Sequence, residues 1–186
     1  WASEVLKKIS DNNSLPPLLM LTKGLSMKNG KYELLVDKLN RLLFDQGIKN
    51  INISAVGGPC LAAGLANRVQ SGVVIANKNI DNANKLKNLL ATDYYRISTS
   101  VDINGVEVCA AIKNIFAMAV GAAAGLNKSK TKDNIHLNTS AVLIRQSLYE
   151  MGEFVKFLKG TKETVNGLAG LGDLYVSSGG GRNSKM

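Results

Sequence analysis

The sequence predicts an α/β protein in which a sheet domain is followed by a helical domain. Two observations support this prediction. Short apolar runs alternate with helix-like segments in the first half of the chain, which is the pattern of a layered α/β sheet. From residue 105 to residue 126 the sequence is rich in alanine, valine and isoleucine and has almost no polar face. That composition is typical of a helix buried on nearly all sides.

The predicted elements of the first half follow from apolar spacing and turn residues. Leucines at positions 35, 39, 42 and 43 give residues 32–44 the spacing of a helix. The other helices are expected at residues 4–10, 61–69 and 81–90, and the strands at residues 18–22, 51–56, 73–76 and 95–100. Because helices connect the strands, we expect a largely parallel sheet.

The second half is expected to form an all-helical domain. Small residues within 105–126 allow close helix contacts, a polar break follows at 128–133, and helical spacing returns at 136–158. We therefore place a domain boundary near residues 101–104. The most apolar run, residues 115–126, is too short to cross a bilayer, so no membrane span is expected.

Composition narrows the classes of partner. The formal charge of +9 favours anionic ligands, but the lysines are scattered and only 5% of residues are aromatic. We therefore expect phosphorylated small molecules rather than nucleic acid. Cys60 and Cys109 fit neither a redox pair nor, with His136 as the single histidine, a zinc site. Both are expected to be reduced and buried, which suits the cytoplasm.

Lys113 is the first candidate for chemistry, since it lies in the middle of the apolar stretch. A charge in that place is costly unless it is paired or partly solvated. In one interpretation the side chain extends to the helix surface. In the other it points into a cleft, where its pKa falls and it exchanges protons with a substrate oxygen.

Three further segments have a functional and a structural interpretation each. Residues 167–173 (GLAGLGD) with Arg182 form either a phosphate-binding loop whose Asp173 pairs with a cation, or a flexible linker. Lys23 follows a predicted strand, where ligands collect in open sheets, or is simply solvated. Residues 57–62 form either an anion-binding turn before a helix or an ordinary strand-to-helix turn.

Together these segments resemble the NAD-dependent glycerol-3-phosphate dehydrogenase family. The stretch from Asp102 to Asn114 resembles the family's D-x-x-G-V-E…K-N helix, and residues 167–173 resemble its G-L-A-G-x-G-D turn. Residues 182–183 resemble its R-N substrate loop, and residues 22–24 and 58–59 its T-K-G and S-G-P segments. The order of these motifs covers nearly the whole chain.

The resemblance implies an oxidoreductase of carbohydrate and glycerophospholipid metabolism that uses NAD or NADP to interconvert dihydroxyacetone phosphate and glycerol 3-phosphate. It makes Lys113 the catalytic acid/base and Asp173 the group that holds Lys113 or the substrate hydroxyl. The implied substrate-binding residues are Lys23, Gly58, Cys60, Asn114, Ser177, Arg182 and Asn183, and the implied cofactor-binding residues are Lys23, Ala62 and Arg182. It also implies a cytoplasmic homodimer without a metal.

The resemblance further implies two incomplete domains. Residues 1–101 correspond to the C-terminal part of a Rossmann-type doubly wound sheet domain, without its first βαβ unit and G-x-G-x-x-G turn. Residues 102–186 correspond to a helical substrate domain like that of 6-phosphogluconate dehydrogenase, ending just after the R-N loop. Within the covered part, Cys60 replaces the usual Ser or Thr of bacterial members, Gly64 a common Glu, and Ser177 a common Thr.

Two alternative functions stay open from the sequence. The chain could be a non-catalytic fragment or degenerate relative that binds phosphorylated ligands without turnover. It could also be a dehydrogenase of the same superfamily with another substrate. Arg182 discriminates the second case, because its loss matters little to a substrate without a phosphate.

Overall fold

The chain forms six strands, eight α-helices and one π-helical turn within the residues that the computed structural model describes, 1–10, 15–130 and 136–180. In chain order they are α1 (Ala2–Ile9), β1 (Leu18–Met20), β2 (Leu25–Lys28), β3 (Lys31–Leu34), α2 (Leu35–Asp45), β4 (Ile53–Gly57), α3 (Ala62–Ala66), β5 (Ser71–Ala76), α4 (Ile80–Leu90), β6 (Tyr95–Ser100), α5 (Ile103–Lys130), α6 (Leu137–Phe157), α7 (Lys162–Asn166), the π-turn (Leu168–Gly172) and α8 (Asp173–Gly180).

The main sheet has the strand order β1-β4-β5-β6. The β1–β4 and β5–β6 pairs are parallel, as expected, but the central β4–β5 pair is antiparallel. The prediction of a parallel sheet is wrong for that pair. The connection between β4 and β5 holds only the five-residue α3, which is about 8 Å long. So short a helix does not return the chain along the full length of β4, and β5 therefore starts where β4 ends.

A second, two-stranded sheet replaces the start of the helix predicted at residues 32–44. Strands β2 and β3 pair antiparallel around Asn29 and Gly30, whose φ angles are 51° and 73°. Positive φ at both central residues is the type I′ hairpin geometry, and Asn-Gly is the pair of residues that favours it. The helix consequently begins only at Leu35.

Helix α5 is the central element of the core. It packs against α6, α8 and β4, and Val106, Val108 and Cys109 on it are fully buried. It is longer than the apolar run of residues 115–126 suggested, and its segment Ile103–Ala123 is long and apolar enough to cross a membrane. However, 61% of the most apolar window in that segment is buried inside the protein, as in an ordinary core helix.

Asp102 fixes the start of α5. One carboxylate oxygen accepts a hydrogen bond from the Gly105 amide at 2.9 Å. The other accepts from the amide and hydroxyl of Thr161, both at 3.0 Å, and from the Thr164 hydroxyl at 2.5 Å. Burial raises the pKa of Asp102, but these hydrogen bonds outweigh it and lower the pKa below its usual value. The start of α5 is thereby tied to α7, which leads into the π-turn.

Glu107, one turn further along α5, joins this helix to the sheet half of the chain. Its buried carboxyl group accepts the Val36 amide at the start of α2, at 3.2 and 3.4 Å. Burial raises the pKa of Glu107 to about 7; the bond from Val36 opposes the rise, the nearby Asp37 adds to it, and Lys78 opposes it. The carboxyl group is therefore partly protonated near neutral pH.

We predict that Glu107 makes the stability of the fold decrease as pH rises. Its folded pKa lies above the ordinary 4.5, so its contribution is full below about pH 4.5 and is lost as pH rises through about 7. In Glu107→Gln this titration is absent. The variant's free energy of unfolding, relative to the unsubstituted protein, should rise by up to ~3 kcal/mol between pH 5 and pH 8 in urea denaturation.

The control is Glu163→Gln, because Glu163 is exposed on α7. Its difference from the unsubstituted protein should stay constant over the same pH range. A constant difference for Glu107→Gln as well would contradict the prediction.

Candidate functional site

The site lies where the two parallel strands β1 and β4 end. Lys23 follows β1 by three residues, and Gly57 and Gly58 close β4 and are buried. The carboxyl ends of neighbouring strands form the edge at which open α/β sheets collect ligands. Helix α5 packs against β4, so residues on its inner face approach this edge.

Lys113 of α5 reaches this edge as a buried side chain, with 8% of its surface exposed. Its ammonium group donates a hydrogen bond to Oδ1 of Asp173, whose side chain is 4% exposed. Lys23 approaches the other carboxylate oxygen of Asp173 at 3.4 Å from the partly exposed side. One carboxylate thus faces two ammonium groups, and the cluster has a net positive charge.

The π-turn Leu168–Gly172 holds Asp173 in place. The turn is packed into the core, with Ala169 and Gly170 buried. A Cβ atom on Gly170 would overlap the Val165 carbonyl group, so only glycine allows this close approach. The interpretation of residues 167–173 as a flexible linker is therefore wrong. The residue that follows the turn is Asp173, the first residue of α8.

The electrostatics of the cluster favour proton exchange at Lys113. Burial lowers its pKa, Asp173 partly restores it through the hydrogen bond and its charge, and Lys23 lowers it further. The interpretation in which Lys113 extends to the helix surface does not fit its burial. A lysine with a lowered pKa and a fixed partner is suited to act as a general acid or base.

A cavity of about 250 Å³ adjoins the cluster and has Lys23 in its wall. It brings together four residues that the sequence predicts as site residues, Lys23, Gly58, Cys60 and Ala62. Burial raises the pKa of the Cys60 thiol, the charge of Asp173 raises it further, and Lys23 opposes the rise. Cys60 therefore lies within electrostatic range of the cluster as a neutral thiol.

The chain is similar to known proteins of one family. Residues 102–186 match the model described as the NAD-dependent glycerol-3-phosphate dehydrogenase C-terminus. The chain is 31% identical to the glycerol-3-phosphate dehydrogenase [NAD(P)+] of Chlorobium limicola, over 86% of this chain and 45% of that protein. It is 29% identical to the NADP(+)-dependent glycerol-3-phosphate dehydrogenase of Archaeoglobus fulgidus, over 91% of this chain and 49% of that protein.

The chain belongs to the NAD-dependent glycerol-3-phosphate dehydrogenase family.

Solved structures of the family have the same fold. The glycerol-3-phosphate dehydrogenase of Plasmodium falciparum superposes with a TM-score of 0.81 at 26% identity, over 99% of this chain and 48% of that one. The enzyme of Coxiella burnetii gives a TM-score of 0.77 at 29% identity, over 98% of this chain and 52% of that one. The predicted fold class is thereby confirmed. The chain spans about half the length of the curated relatives it matches.

The remaining residues predicted from the family motifs lie at different distances from the cluster. Asn114 follows Lys113 on α5 and is exposed. Ser177 lies four residues after Asp173 on α8, on the same helix face, and is buried. Arg182 and Asn183 lie outside the described residues. Among the described residues, no group of three or more His, Cys, Asp or Glu side chains is arranged to hold a metal ion.

Sequence reasoning missed the apolar wall of the cavity and the role of Glu107. Leu21, Val56, Val73 and Tyr95 line the cavity beside Lys23. All four lie on predicted strands, where the sequence assigns them only to the sheet; burial raises the pKa of the Tyr95 hydroxyl. The signal for Glu107 was available, since it is a charge within an apolar stretch, the same feature that makes Lys113 a candidate.

We predict that Lys113 and Asp173 are strongly coupled in stability. Lys113→Met leaves a buried carboxylate with only the more distant Lys23, and Asp173→Leu leaves a buried ammonium group. Each single change should destabilise the fold by about 3 kcal/mol or more, because a buried charge loses its compensation. The double variant should be less destabilised than the sum of the two, as measured by urea denaturation.

The matched control is the exposed pair Lys162–Glu153 between α7 and α6. The same cycle with Lys162→Met and Glu153→Leu should give additive effects, because solvent screens exposed pairs. Additive effects at Lys113 and Asp173 would show that the two charges are not compensating each other.

Proposed function

We propose that the protein containing this chain interconverts dihydroxyacetone phosphate and sn-glycerol 3-phosphate by hydride transfer with NAD(H) or NADP(H). The observation that supports this most directly is the buried Lys113–Asp173 pair, joined by Lys23, at the end of β1 and β4. Lys113, whose pKa is lowered, can give a proton to the oxygen of a ketone. The net positive charge of its cluster attracts a substrate that is an anion. The family relatives are named for this activity.

The cavity fits the reactive end of a nicotinamide cofactor. Its walls combine apolar side chains, Leu21, Val56 and Val73, with the backbone of Gly57 and Gly58 and the ammonium group of Lys23. A flat ring with a polar amide can lie against such a surface, and Ala62, the residue that the family motifs place on the cofactor side, also lines the cavity. When bound, the cofactor supplies or accepts the hydride at the substrate carbon.

Lys113 handles the proton in this proposal. As the carbonyl carbon of dihydroxyacetone phosphate is reduced, the ammonium group of Lys113 gives a proton to the carbonyl oxygen, directly or through water. Asp173 orients Lys113, and Lys23 keeps the cluster positive as negative charge develops on that oxygen. In the reverse direction neutral Lys113 takes the hydroxyl proton of glycerol 3-phosphate.

The remaining substrate contacts are assigned by the family motifs. We propose that Arg182 binds the phosphate and also reaches the cofactor, because its planar guanidinium matches phosphate geometry. Gly58, Cys60, Asn114, Ser177 and Asn183 complete the substrate site. Cys60 keeps a weaker hydrogen-bond donor than a hydroxyl there, whereas Ser177 keeps the hydroxyl.

The organisation of the whole protein follows from the same proposal. Residues 1–101 form the C-terminal part of the dinucleotide-binding domain and residues 102–186 belong to the helical substrate domain. The start of α5 at Ile103 and the family match from residue 102 support that division. We propose a cytoplasmic homodimer, and the free Cys60 and Cys109 suit the reducing environment of the cytoplasm.

The test is a spectrophotometric assay of NADH or NADPH loss with dihydroxyacetone phosphate. The intact mass of the purified protein is measured on the same sample. Lys113→Ala should lower kcat by about 100-fold or more, the usual size of an acid/base contribution. Arg182→Ala should mainly raise KM for dihydroxyacetone phosphate, by roughly 10- to 100-fold, because a charge-assisted phosphate contact is lost.

Controls are Lys49→Ala and Arg145→Ala, which remove the same charges from exposed positions away from the cluster. Both should leave kcat and KM unchanged. Equal and small effects of Lys113→Ala and Arg182→Ala would contradict the assignment. Binding of NADH and substrate without turnover would instead identify a non-catalytic relative, and turnover unaffected by loss of Arg182 a substrate without a phosphate.

A further inference from the structure

A second and larger cavity, of about 490 Å³, lies far along α5 from the Lys113 cluster. It is formed by the β2–β3 hairpin, the C-terminal end of α6 and the start of α5, and it shares no residue with the cavity beside Lys23. Its volume is within the range of sites for small organic ligands. Nothing in the proposed reaction uses it.

Three lysines and two carboxylates line this cavity, which gives it a surplus of positive charge. Lys28 and Lys31 are direct partners across the hairpin, an arrangement of like charges that destabilises a strand pair. Lys159, just after α6, adds a third ammonium group from a backbone with φ of 62°, which an L-residue rarely adopts. Within the described part of the chain, none of the three forms an ion pair.

The two carboxylates of the same cavity balance these lysines only in part, because each accepts hydrogen bonds from a cation of its own; of the three lysines, Lys28 acts on Glu33 through its charge. Glu33 accepts two hydrogen bonds from Arg41, at 2.9 and 3.0 Å. Asp37 accepts one from Lys78 at 3.2 Å. Part of the positive charge is therefore available to an anion that comes from outside the chain.

Aromatic rings form the apolar part of the lining. Tyr32 and Phe157 line the cavity and are 49% and 69% exposed, a high exposure for rings of this size. Both contact the ring of Phe154, with centroid distances of 5.8 and 6.2 Å, so they are held in place. A flat ring of a ligand can pack against such side chains.

The cavity is also braced by the backbone of the fold. The Asn104 amide on α5 donates a hydrogen bond to the Leu158 carbonyl at 3.0 Å and approaches the Lys159 carbonyl at 3.5 Å. It thus joins the end of α6 to α5 beside the hairpin. The lysines and the rings therefore line a cavity whose elements are held together by the fold.

We propose that this cavity binds a small anion that carries both phosphate groups and an aromatic ring, as a nucleotide does. The three lysines bind the phosphates and the exposed rings pack against the base. The cavity lies between the hairpin, the end of α6 and Asn104 of α5, and such a concave site suits a small molecule better than a flat macromolecular surface. The proposal does not depend on the proposed function.

The experiment is a calorimetric titration of the purified protein with ATP and, separately, with inorganic tripolyphosphate. ATP should bind more tightly than tripolyphosphate, since only ATP carries a ring. Lys28→Gln/Lys31→Gln/Lys159→Asn should weaken ATP binding at least tenfold; asparagine is chosen at residue 159 because it tolerates positive φ. Phe157→Ala should reduce the advantage of ATP over tripolyphosphate.

Two controls distinguish binding in this cavity from binding elsewhere on the protein. Lys7→Gln/Lys8→Gln/Lys49→Gln removes the same charge from exposed positions and should leave ATP binding unchanged. Lys23→Gln changes the cluster of the proposed function while keeping the buried Lys113–Asp173 pair, and it should also leave ATP binding unchanged. Unchanged ATP binding in the cavity variant, or equal losses in the cavity variant and the first control, would overturn the proposal. Loss of ATP binding only in Lys23→Gln would place the nucleotide in the other site and overturn it as well.

Discussion

Lys113 and Asp173 form an ion pair that is almost completely removed from water, and the rest of this structure is arranged around it. Charges in such a place destabilise a fold unless each is held against the other with good geometry. The two residues lie 60 positions apart, one on α5 and the other at the start of α8. The pair therefore requires that α5, the π-turn and the ends of β1 and β4 keep fixed relative positions.

Two other carboxylates near the start of α5 help to keep these elements in fixed relative positions. Asp102 binds the start of α5 to Thr161 and Thr164, next to the segment that leads to Asp173. Glu107 binds the same helix to the start of α2 in the sheet half of the chain. Lys113 is thus carried by a helix that is anchored on both sides. The close approach of Gly170 to Val165 fixes the other partner of the pair.

The sequence predicts the cluster itself better than the path of the chain around it. A lysine within an apolar helix and a carboxylate after an apolar, glycine-rich run are local signals that suggest each other, because a buried charge needs a partner. Lys113 and Asp173 are therefore recognisable as candidates from the sequence, whereas Lys23 is singled out mainly by the family motifs. The reversed β4–β5 pair is not, because strand direction depends on how a 13-residue connection folds, which local spacing does not encode. The hairpin is not predicted because the leucine spacing of α2 suggests a helix that already starts at residue 32. The Asn29-Gly30 pair just before it is the stronger signal, since it favours a hairpin turn.

The two cavities differ in how their acidic residues are paired. Beside Lys23, Asp173 partly balances the positive charge, and burial leaves Lys113 with a lowered pKa, which suits proton transfer. Around Lys28, Lys31 and Lys159 the two carboxylates are hydrogen-bonded to other cations, so part of the positive charge is available for binding an anion. The pairing of the carboxylates therefore determines whether a cavity suits proton transfer or the binding of an anion.

The most direct test is the titration of Lys113 itself, followed by NMR of lysines labelled at Cε, with Lys113→Met to assign its signal. We expect Lys113 to titrate below the ordinary 10.5, and Asp173→Asn to move its pKa further down, because the hydrogen bond and charge that partly restore the pKa are lost. Titration of Lys113 together with the exposed lysines, unchanged by Asp173→Asn, would contradict the central claim that a buried, coupled ammonium group organises this site.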